Sequence, residues 1–103
     1  MTAKVIALYN EPQNAELFDL YYFDRHVPLA KTLPGLKRYE VNVGKITDTS
    51  GASPFHLAAI LSFDSLSDIQ SAMASEEGLA TAADLQNFAT SGVSLLILET
   101  HEI

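Results

Sequence analysis

The segment from Phe55 to Phe63 is apolar on both of the faces that an extended chain presents. It reads Phe-His-Leu-Ala-Ala-Ile-Leu-Ser-Phe, whereas a strand with one face in water alternates apolar and polar residues. The segment from Val93 to His101 has the same character, with apolar side chains facing both ways at Leu95, Leu96, Ile97 and Leu98. A sheet that contains these strands must be covered on both sides, because each large apolar side chain left in water loses roughly 1.5–3 kcal/mol of burial.

Two further strands and two helical regions complete the pattern. Strands are predicted at residues 4–9, 36–46, 55–63 and 93–101, and helices at 14–32, 65–74 and 81–89, with a break at Ser75-Glu76-Glu77-Gly78. The polar, turn-rich residues 47–54 are expected to form a mobile connection between two strands. The order β-α-β-β-α-β is that of the ferredoxin-like α+β fold with an antiparallel sheet, and 103 residues fit a single such domain over residues 1–103.

Both helices of this fold lie on one face of the sheet, so the other face lacks a cover. Leu96, Leu98 and Ile60 are predicted to point to that uncovered face. A second copy of the chain is the simplest cover, and we therefore expect a homodimer through the sheet face. In the alternative arrangement, the C-terminus or the 47–54 loop folds over the sheet.

The distribution of charge argues against a nucleic-acid partner. All six basic residues lie within residues 1–45, beside five acids, while residues 46–103 contain eight acids and no cation, for a net charge of −7. A nucleic-acid binder presents a basic stripe to neutralise phosphates. Nucleic acid and anionic membrane surfaces are therefore not expected as partners.

The sequence contains no motif that predicts a cofactor. The absence of cysteine excludes a thiolate nucleophile, a disulfide and a Cys-ligated metal, and no pair of histidines has metal-ligand spacing. No glycine-rich phosphate loop follows the first strand. These observations predict a protein without metal or nucleotide. The N-terminus lacks the features of a signal peptide and no apolar stretch reaches about 20 residues, so we also expect a cytoplasmic protein.

One helix carries the side chains best suited to chemistry. Asp19, Tyr22, His26 and Ala30 recur at spacings of three and four, which places them along one helix face. Pro28 follows His26 by two residues and lacks the amide that would bond the Asp24 carbonyl, which predicts a kink or an opened turn beside the imidazole. Histidine is the side chain whose proton moves most readily near neutral pH.

The same segment resembles the signature of the EthD family, named for a protein of ethyl tert-butyl ether degradation. The similarity lies in Phe-x-x-Tyr-Tyr-x-x-x-His-x-Pro-Leu-Ala followed by Leu-Pro-Gly-Leu-x-x-Tyr, with weaker support from Asp84-Leu85. The resemblance implies a dimeric α+β barrel in bacterial catabolism or secondary metabolism. Similar barrels include lactone isomerases, polyketide cyclases, and cofactor-independent or haem-degrading monooxygenases.

The family's helix histidine corresponds to His26, its aromatic pair to Tyr21 and Tyr22, its proline to Pro28 and its strand tyrosine to Tyr39. We expect His26 to act as a general acid or base, or to donate a hydrogen bond to a substrate carbonyl. Tyr39 is expected to orient His26 or to hold a developing oxyanion, and Tyr21, Tyr22 and Pro28 to contact substrate. A purely structural His26 and a Tyr39 that only packs on its strand are the alternatives.

Two hypotheses of function follow, and neither composition nor motif separates them. The first is an enzyme that acts on a small apolar, oxygenated organic molecule by metal-free, His26-assisted proton transfer, as an isomerase, a cyclase or an oxygenase. The second is a non-catalytic module that binds or carries such a ligand for a partner oxygenase. A structural dimer with a vestigial pocket is a third reading.

Overall fold

The computed structural model describes all 103 residues and contains a four-stranded antiparallel sheet with helices on one face. The helical elements are α1 (Ala15–Tyr21), a π-helical turn (Tyr22–His26), α2 (Val27–Ala30), α3 (Leu66–Ala74) and α4 (Glu76–Phe88). The strands are β1 (Thr2–Asn10), β2 (Arg38–Val41), β3 (Thr47–Asp48), β4 (Gly51–Ala52), β5 (Phe55–Phe63) and β6 (Val93–Thr100). The main sheet has the order β2-β5-β1-β6. The predicted α+β class and antiparallel sheet are confirmed.

Side-chain caps fix where three of the helices begin. The Asn14 carboxamide accepts a hydrogen bond from the Leu17 amide at the start of α1, and the Ser65 hydroxyl accepts one from the Asp68 amide at the start of α3. Such caps satisfy backbone donors that have no partner within the helix. Both helix starts agree with the sequence prediction.

In the second helical region, α4 begins at Glu76, whereas the sequence predicts a break at residues 75–78 and a new helix from residue 81. Ser75 caps α4 by accepting from the Gly78 amide, so residues 76–78 begin the helix instead of interrupting it. Thr81 lies inside α4, and its hydroxyl donates to the Glu77 carbonyl. The acidic first turn, Glu76 and Glu77, suits the positive end of the helix dipole.

The second strand and the following connection also differ from the prediction. β2 ends at Val41, because the Asn42 side chain accepts the Ala58 amide and donates to the Gly44 carbonyl. Val43, within the predicted strand 36–46, lies beyond the observed β2 and is fully exposed. Residues 47–54, predicted to form a mobile connection, contain the short β3–β4 hairpin.

The hydrophobic core lies between the helices and one face of the sheet. Alternate residues of β1 and β5 point into it and pack against aromatic side chains of the helices, namely Ala3, Val5, Ala7, Tyr9, Leu57, Ala59, Leu61 and Phe63 with Phe18, Tyr22, Ile69 and Phe88. The helices contain no segment long and apolar enough to cross a bilayer.

The opposite face of the sheet carries apolar side chains without a helix above them. Ile6 pairs with both Ile60 and Leu96 across three neighbouring strands. Leu96 keeps 48% of its surface exposed. The 47–52 hairpin and residues 101–103 are themselves exposed, so neither forms the cover considered as the alternative to a second copy.

Candidate functional site

A partly open cavity of about 80 Å³ lies between the helices and the covered face of the sheet. Most of its lining is apolar and comes from β1, β5, α4 and β6. The polar groups on its wall include those of His26, Tyr22 and Tyr39. An apolar lining with a few convergent polar groups is typical of a small-molecule site, although such sites usually measure about 300–1,000 Å³.

The helix that carries His26 opens into a π turn at the position where the sequence predicts an irregularity. The Val27 amide donates to the Tyr22 carbonyl, five residues back, instead of the four of an α-helix. Within this turn Tyr22 and His26 are both buried, with 0% and 4% of their surface exposed. Such widened turns occur frequently at functional sites.

His26 contacts an acidic residue of α4, in the second helical region. Its Nδ1 lies 2.9 Å from Asp84 Oδ2. The other carboxylate oxygen, Oδ1, accepts the Tyr21 hydroxyl at 2.6 Å and the Asn87 side-chain amide at 2.9 Å. Three donors thus converge on the Asp84 carboxylate, which fixes its position and satisfies its charge inside the protein.

The electrostatics favour a neutral imidazole beside an ionised carboxylate. Burial lowers the pKa of His26, and the hydrogen bond and charge of Asp84 only partly oppose this effect. Burial raises the pKa of Asp84, but hydrogen bonds from Tyr21, Asn87 and His26 outweigh it and leave the pKa below its usual value. A neutral His26 that donates from Nδ1 to Asp84 has a free lone pair on Nε2, as a general base requires.

Two tyrosines form the second polar feature of the cavity. The hydroxyl oxygens of Tyr22 and Tyr39 lie 2.6 Å apart, and burial raises the pKa of both. Both hydroxyls therefore keep their protons near neutral pH. Since one hydroxyl donates to the other, the second hydroxyl proton is available to a ligand.

The structure brings together three of the five site residues predicted from the sequence. His26, Tyr22 and Tyr39 line the cavity, whereas Tyr21 and Pro28 do not. Tyr21 instead borders a surface groove of about 560 Å³ and bonds Asp84. Tyr39 bonds Tyr22 and makes no hydrogen bond with His26. Substrate contact by any of these residues stays a prediction.

Asp84 is the site residue that sequence reasoning missed. It lies on the buried side of α4, one turn before Phe88 and next to Leu85, and only 9% of its surface is exposed. The sequence signal that could have identified Asp84 is an acidic residue that lies at helical spacing from apolar residues. In the sequence, Asp84 contributes only weak support for the family resemblance, through Asp84-Leu85.

A second histidine has two acidic neighbours, but they do not form a metal centre. His56 Nε2 lies 2.7 Å from Asp19 Oδ1, and its Nδ1 lies 3.5 Å from Glu11 Oε2. The two carboxylates occupy opposite edges of the ring and do not converge on one point. No group of three or more His, Asp or Glu side chains is arranged to hold a metal ion.

This chain is similar to known proteins in both sequence and fold. The family model described as the EthD domain matches residues 10–92. An uncharacterized 11.0 kDa protein of the thcB-thcC intergenic region in Rhodococcus erythropolis is 37% identical over 101 residues, which cover 97% of this chain and 96% of that protein. The crystal structure of an ethyl tert-butyl ether degradation (EthD) family protein from Bacillus halodurans is 35% identical, with a TM-score of 0.89 over 98% of this chain and 100% of that chain.

More distant structures share the fold alone. A hydroxynitrile lyase from Passiflora edulis is 16% identical, with a TM-score of 0.75 over 99% of this chain and 95% of that one. SnoaB, a cofactor-independent oxygenase from Streptomyces nogalater, is 12% identical with a TM-score of 0.69 over 99% and 95%. A dimeric ferredoxin-like protein from Thermobifida fusca is 14% identical with a TM-score of 0.69 over 97% and 92%. These neighbours support the ferredoxin-like class predicted from the strand order.

Proposed function

This chain belongs to the EthD family, and from that membership we propose that it is an enzyme that transfers a proton on a small, apolar, oxygenated organic molecule. The observation that carries the proposal is the 2.9 Å contact of His26 Nδ1 with Asp84 Oδ2 at the wall of an apolar cavity. This contact leaves Nε2 as the basic atom of the ring. A histidine held in this way is a common general base.

The proposed reaction begins with removal of one proton from the substrate. His26 Nε2 accepts a proton from a C–H beside a carbonyl or from an O–H, which leaves the electron pair on the substrate as an enolate or an oxyanion. Asp84 keeps the Nδ1 proton in place and stabilises the imidazolium that forms. The proton then returns from Nε2 to another atom of the substrate, which completes an isomerisation or a cyclisation.

The tyrosine pair supplies the group that stabilises negative charge. One hydroxyl proton of the Tyr22–Tyr39 pair is free for a substrate oxygen, and each hydroxyl is held by the other at 2.6 Å. Preorganised donors of this kind act most strongly in a site that excludes water. An oxygenase reaction would start from the same enolate with dioxygen as co-substrate, so that a CH₂ group becomes C=O and the second oxygen atom leaves as water; a cofactor-independent oxygenase shares the fold.

The cavity size limits what the enclosed part of the site accepts. Its volume of about 80 Å³ is close to half that of an engineered cavity of about 150 Å³ that binds benzene. A ligand of drug size therefore does not fit inside. We propose that the oxygenated end enters the cavity and that an apolar remainder extends past Leu95, a lining residue that is 54% exposed.

A carrier role is the second candidate, favoured by the largely apolar lining of the cavity. Such a site retains an apolar molecule without any chemistry. In that case the His26–Asp84 pair only satisfies two buried polar groups, and His26 is dispensable for any reaction carried out by a partner oxygenase.

We also propose that the functional unit is a homodimer through the open face of the sheet. Ile6, Ile60 and Leu96 neighbour one another on this face. A protein that shares the fold is described as dimeric. Burial of these side chains against their counterparts would stabilise the pair by about 25 cal/mol for each Å² removed from water.

Hydrogen–deuterium exchange into candidate substrates tests the enzymatic proposal without knowledge of the product. The probes are small ketones, lactones and phenols incubated in D₂O, with deuterium uptake measured by mass spectrometry. We expect the protein to accelerate exchange in at least one class, and His26→Gln to lower that rate by roughly 10²-fold or more. Lys31→Ala, at an exposed position two residues after Leu29, is the control. An unchanged rate in His26→Gln would exclude His26 as the base.

A further inference from the structure

Pro28 lies next to the π turn but outside the cavity. It is exposed to solvent, and it is not among the residues that line the cavity. Proline is the least favourable residue inside a helix, by about 3 kcal/mol relative to alanine. Neither core packing nor contact with the cavity accounts for the presence of Pro28, so its backbone is the property to consider.

The hydrogen bonds around Pro28 show what that backbone does. The Val27 amide donates five residues back, to the Tyr22 carbonyl. The Lys31 amide donates four residues back, to the Val27 carbonyl. The helix therefore returns from the π to the α pattern between these residues. Pro28 has no N–H to donate, and so it cannot form the bond to the Asp24 carbonyl that would continue an α-helix through the turn.

The π turn determines the direction in which His26 points. With 3.6 residues per turn, a side chain eight positions after Phe18 would lie about 80° around the helix from it. Phe18 faces the core, so an uninterrupted α-helix would leave His26 at the edge of that face, about 40° beyond the buried Tyr22. The additional residue in the turn brings His26 back toward the buried side, within 2.9 Å of Asp84.

We infer that Pro28 is a positioning residue, which keeps the helix in its π pattern and thereby holds His26 against Asp84. Pro28 thereby sets the geometry of the proposed site. The inference rests on the proposed function only for the effect of Pro28 on a reaction. Alanine at position 28 restores an N–H four residues after Asp24. The α-helical bond then becomes available and the imidazole rotates away from the carboxylate.

Nuclear magnetic resonance of side-chain ¹⁵N-labelled histidine tests the inference without a substrate. In the parent protein His26 is expected as a single tautomer, with the proton on Nδ1. In Pro28→Ala we expect this signature to be lost and replaced by a mixture of both tautomers. Asp84→Asn gives the spectrum of a His26 without its carboxylate partner, and Lys31→Ala is the matched exposed control in the next turn.

Loss of the tautomer in Pro28→Ala, with circular dichroism unchanged, supports the inference. Retention of the parent tautomer overturns it, even if an activity falls. Should Pro28→Ala fail to fold, Pro28→Ser restores the same N–H at this exposed position and is judged by the same spectrum. If an exchange activity is found, misplacement of the base is expected to lower its rate by about 10²-fold. If no activity is found, the spectrum still decides the role of Pro28.

Discussion

His26 and Asp84 are separated by 58 residues in the chain, yet their side chains meet at 2.9 Å. The contact joins the π turn to α4. It fixes which ring nitrogen carries the proton, because Asp84 accepts from Nδ1. It also places a charged group next to a buried imidazole whose remaining nitrogen is free.

Asp84→Asn should disable the proposed base while preserving the fold. The carboxamide can still accept the Tyr21 hydroxyl, but it removes the negative charge that stabilises a protonated His26. We expect any proton-exchange rate to fall by at least about 10²-fold. Deuterium uptake by the responsive probe measures the effect. A rate within twofold of the parent would show that Asp84 has no part in the reaction, and Glu76→Gln in the exposed first turn of α4 is the control.

Mild acid should destabilise the protein through His26. Its folded-state pKa lies below the ordinary 6.5, so the unfolded chain binds more protons at pH values below about 6.5. The free energy of unfolding therefore falls as the pH is lowered from 7 through this range, by about 1.4 kcal/mol for each unit by which the pKa is lowered. The lowered pKa of Asp84 adds a loss in the same direction below its ordinary 3.8.

Urea unfolding at several pH values between 7 and 5 measures this dependence. His26→Gln removes the titrating group, and the slope of stability against pH should become flatter. Tyr39→Phe is the control. The pKa of Tyr39 is raised further above this pH range, so Tyr39 stays protonated throughout and takes up no proton there. An equal slope in the parent and His26→Gln would contradict the prediction.

Gly78→Ala should destabilise the junction between α3 and α4. A Cβ at this position would overlap the Ala72 carbonyl oxygen and lie 2.8 Å from the Met73 Cα, and these are backbone atoms that cannot move freely. We expect a loss of roughly 1–3 kcal/mol in the free energy of unfolding. Chemical denaturation measures it. Alanine at Gly44 is the contrasting case, since a Cβ there meets no atom and only the positive φ of 74° opposes it.

Leu96→Glu should dissociate the proposed dimer. The side chain lies on the open face of the sheet and is 48% exposed within one chain. A charge at the centre of an apolar interface would be buried without a partner. Sedimentation equilibrium should give twice the chain mass of 11.2 kDa for the parent and the single mass for the variant. Leu79→Glu, at an exposed position on α4, is the control. A monomeric parent would refute the proposed dimer.

Local sequence patterns predicted much of the fold. The continuous apolar run Phe55–Phe63 located β5 without error, and Asn14 and Ser65 marked the helix starts because their side chains cap the first amides. The predicted end of β2 at residue 46 was wrong. The strand stops at Val41, because the side chain of Asn42 replaces strand pairing with its own hydrogen bonds. Ser75 was read as a break, although it is both the end of α3 and the cap of α4.

The sequence by itself determined that the sheet has two apolar faces and that the helix opens beside Pro28, since both follow from the spacing of neighbouring residues. Only the tertiary structure decided that Asp84 is the partner of His26 and that Tyr39 bonds Tyr22. Each of these contacts joins residues of different elements, and the periodicity of the sequence does not indicate which elements meet. The physical reason is that the packing of α4 and β2 around the π turn, and not any local preference, brings their polar side chains together inside the core.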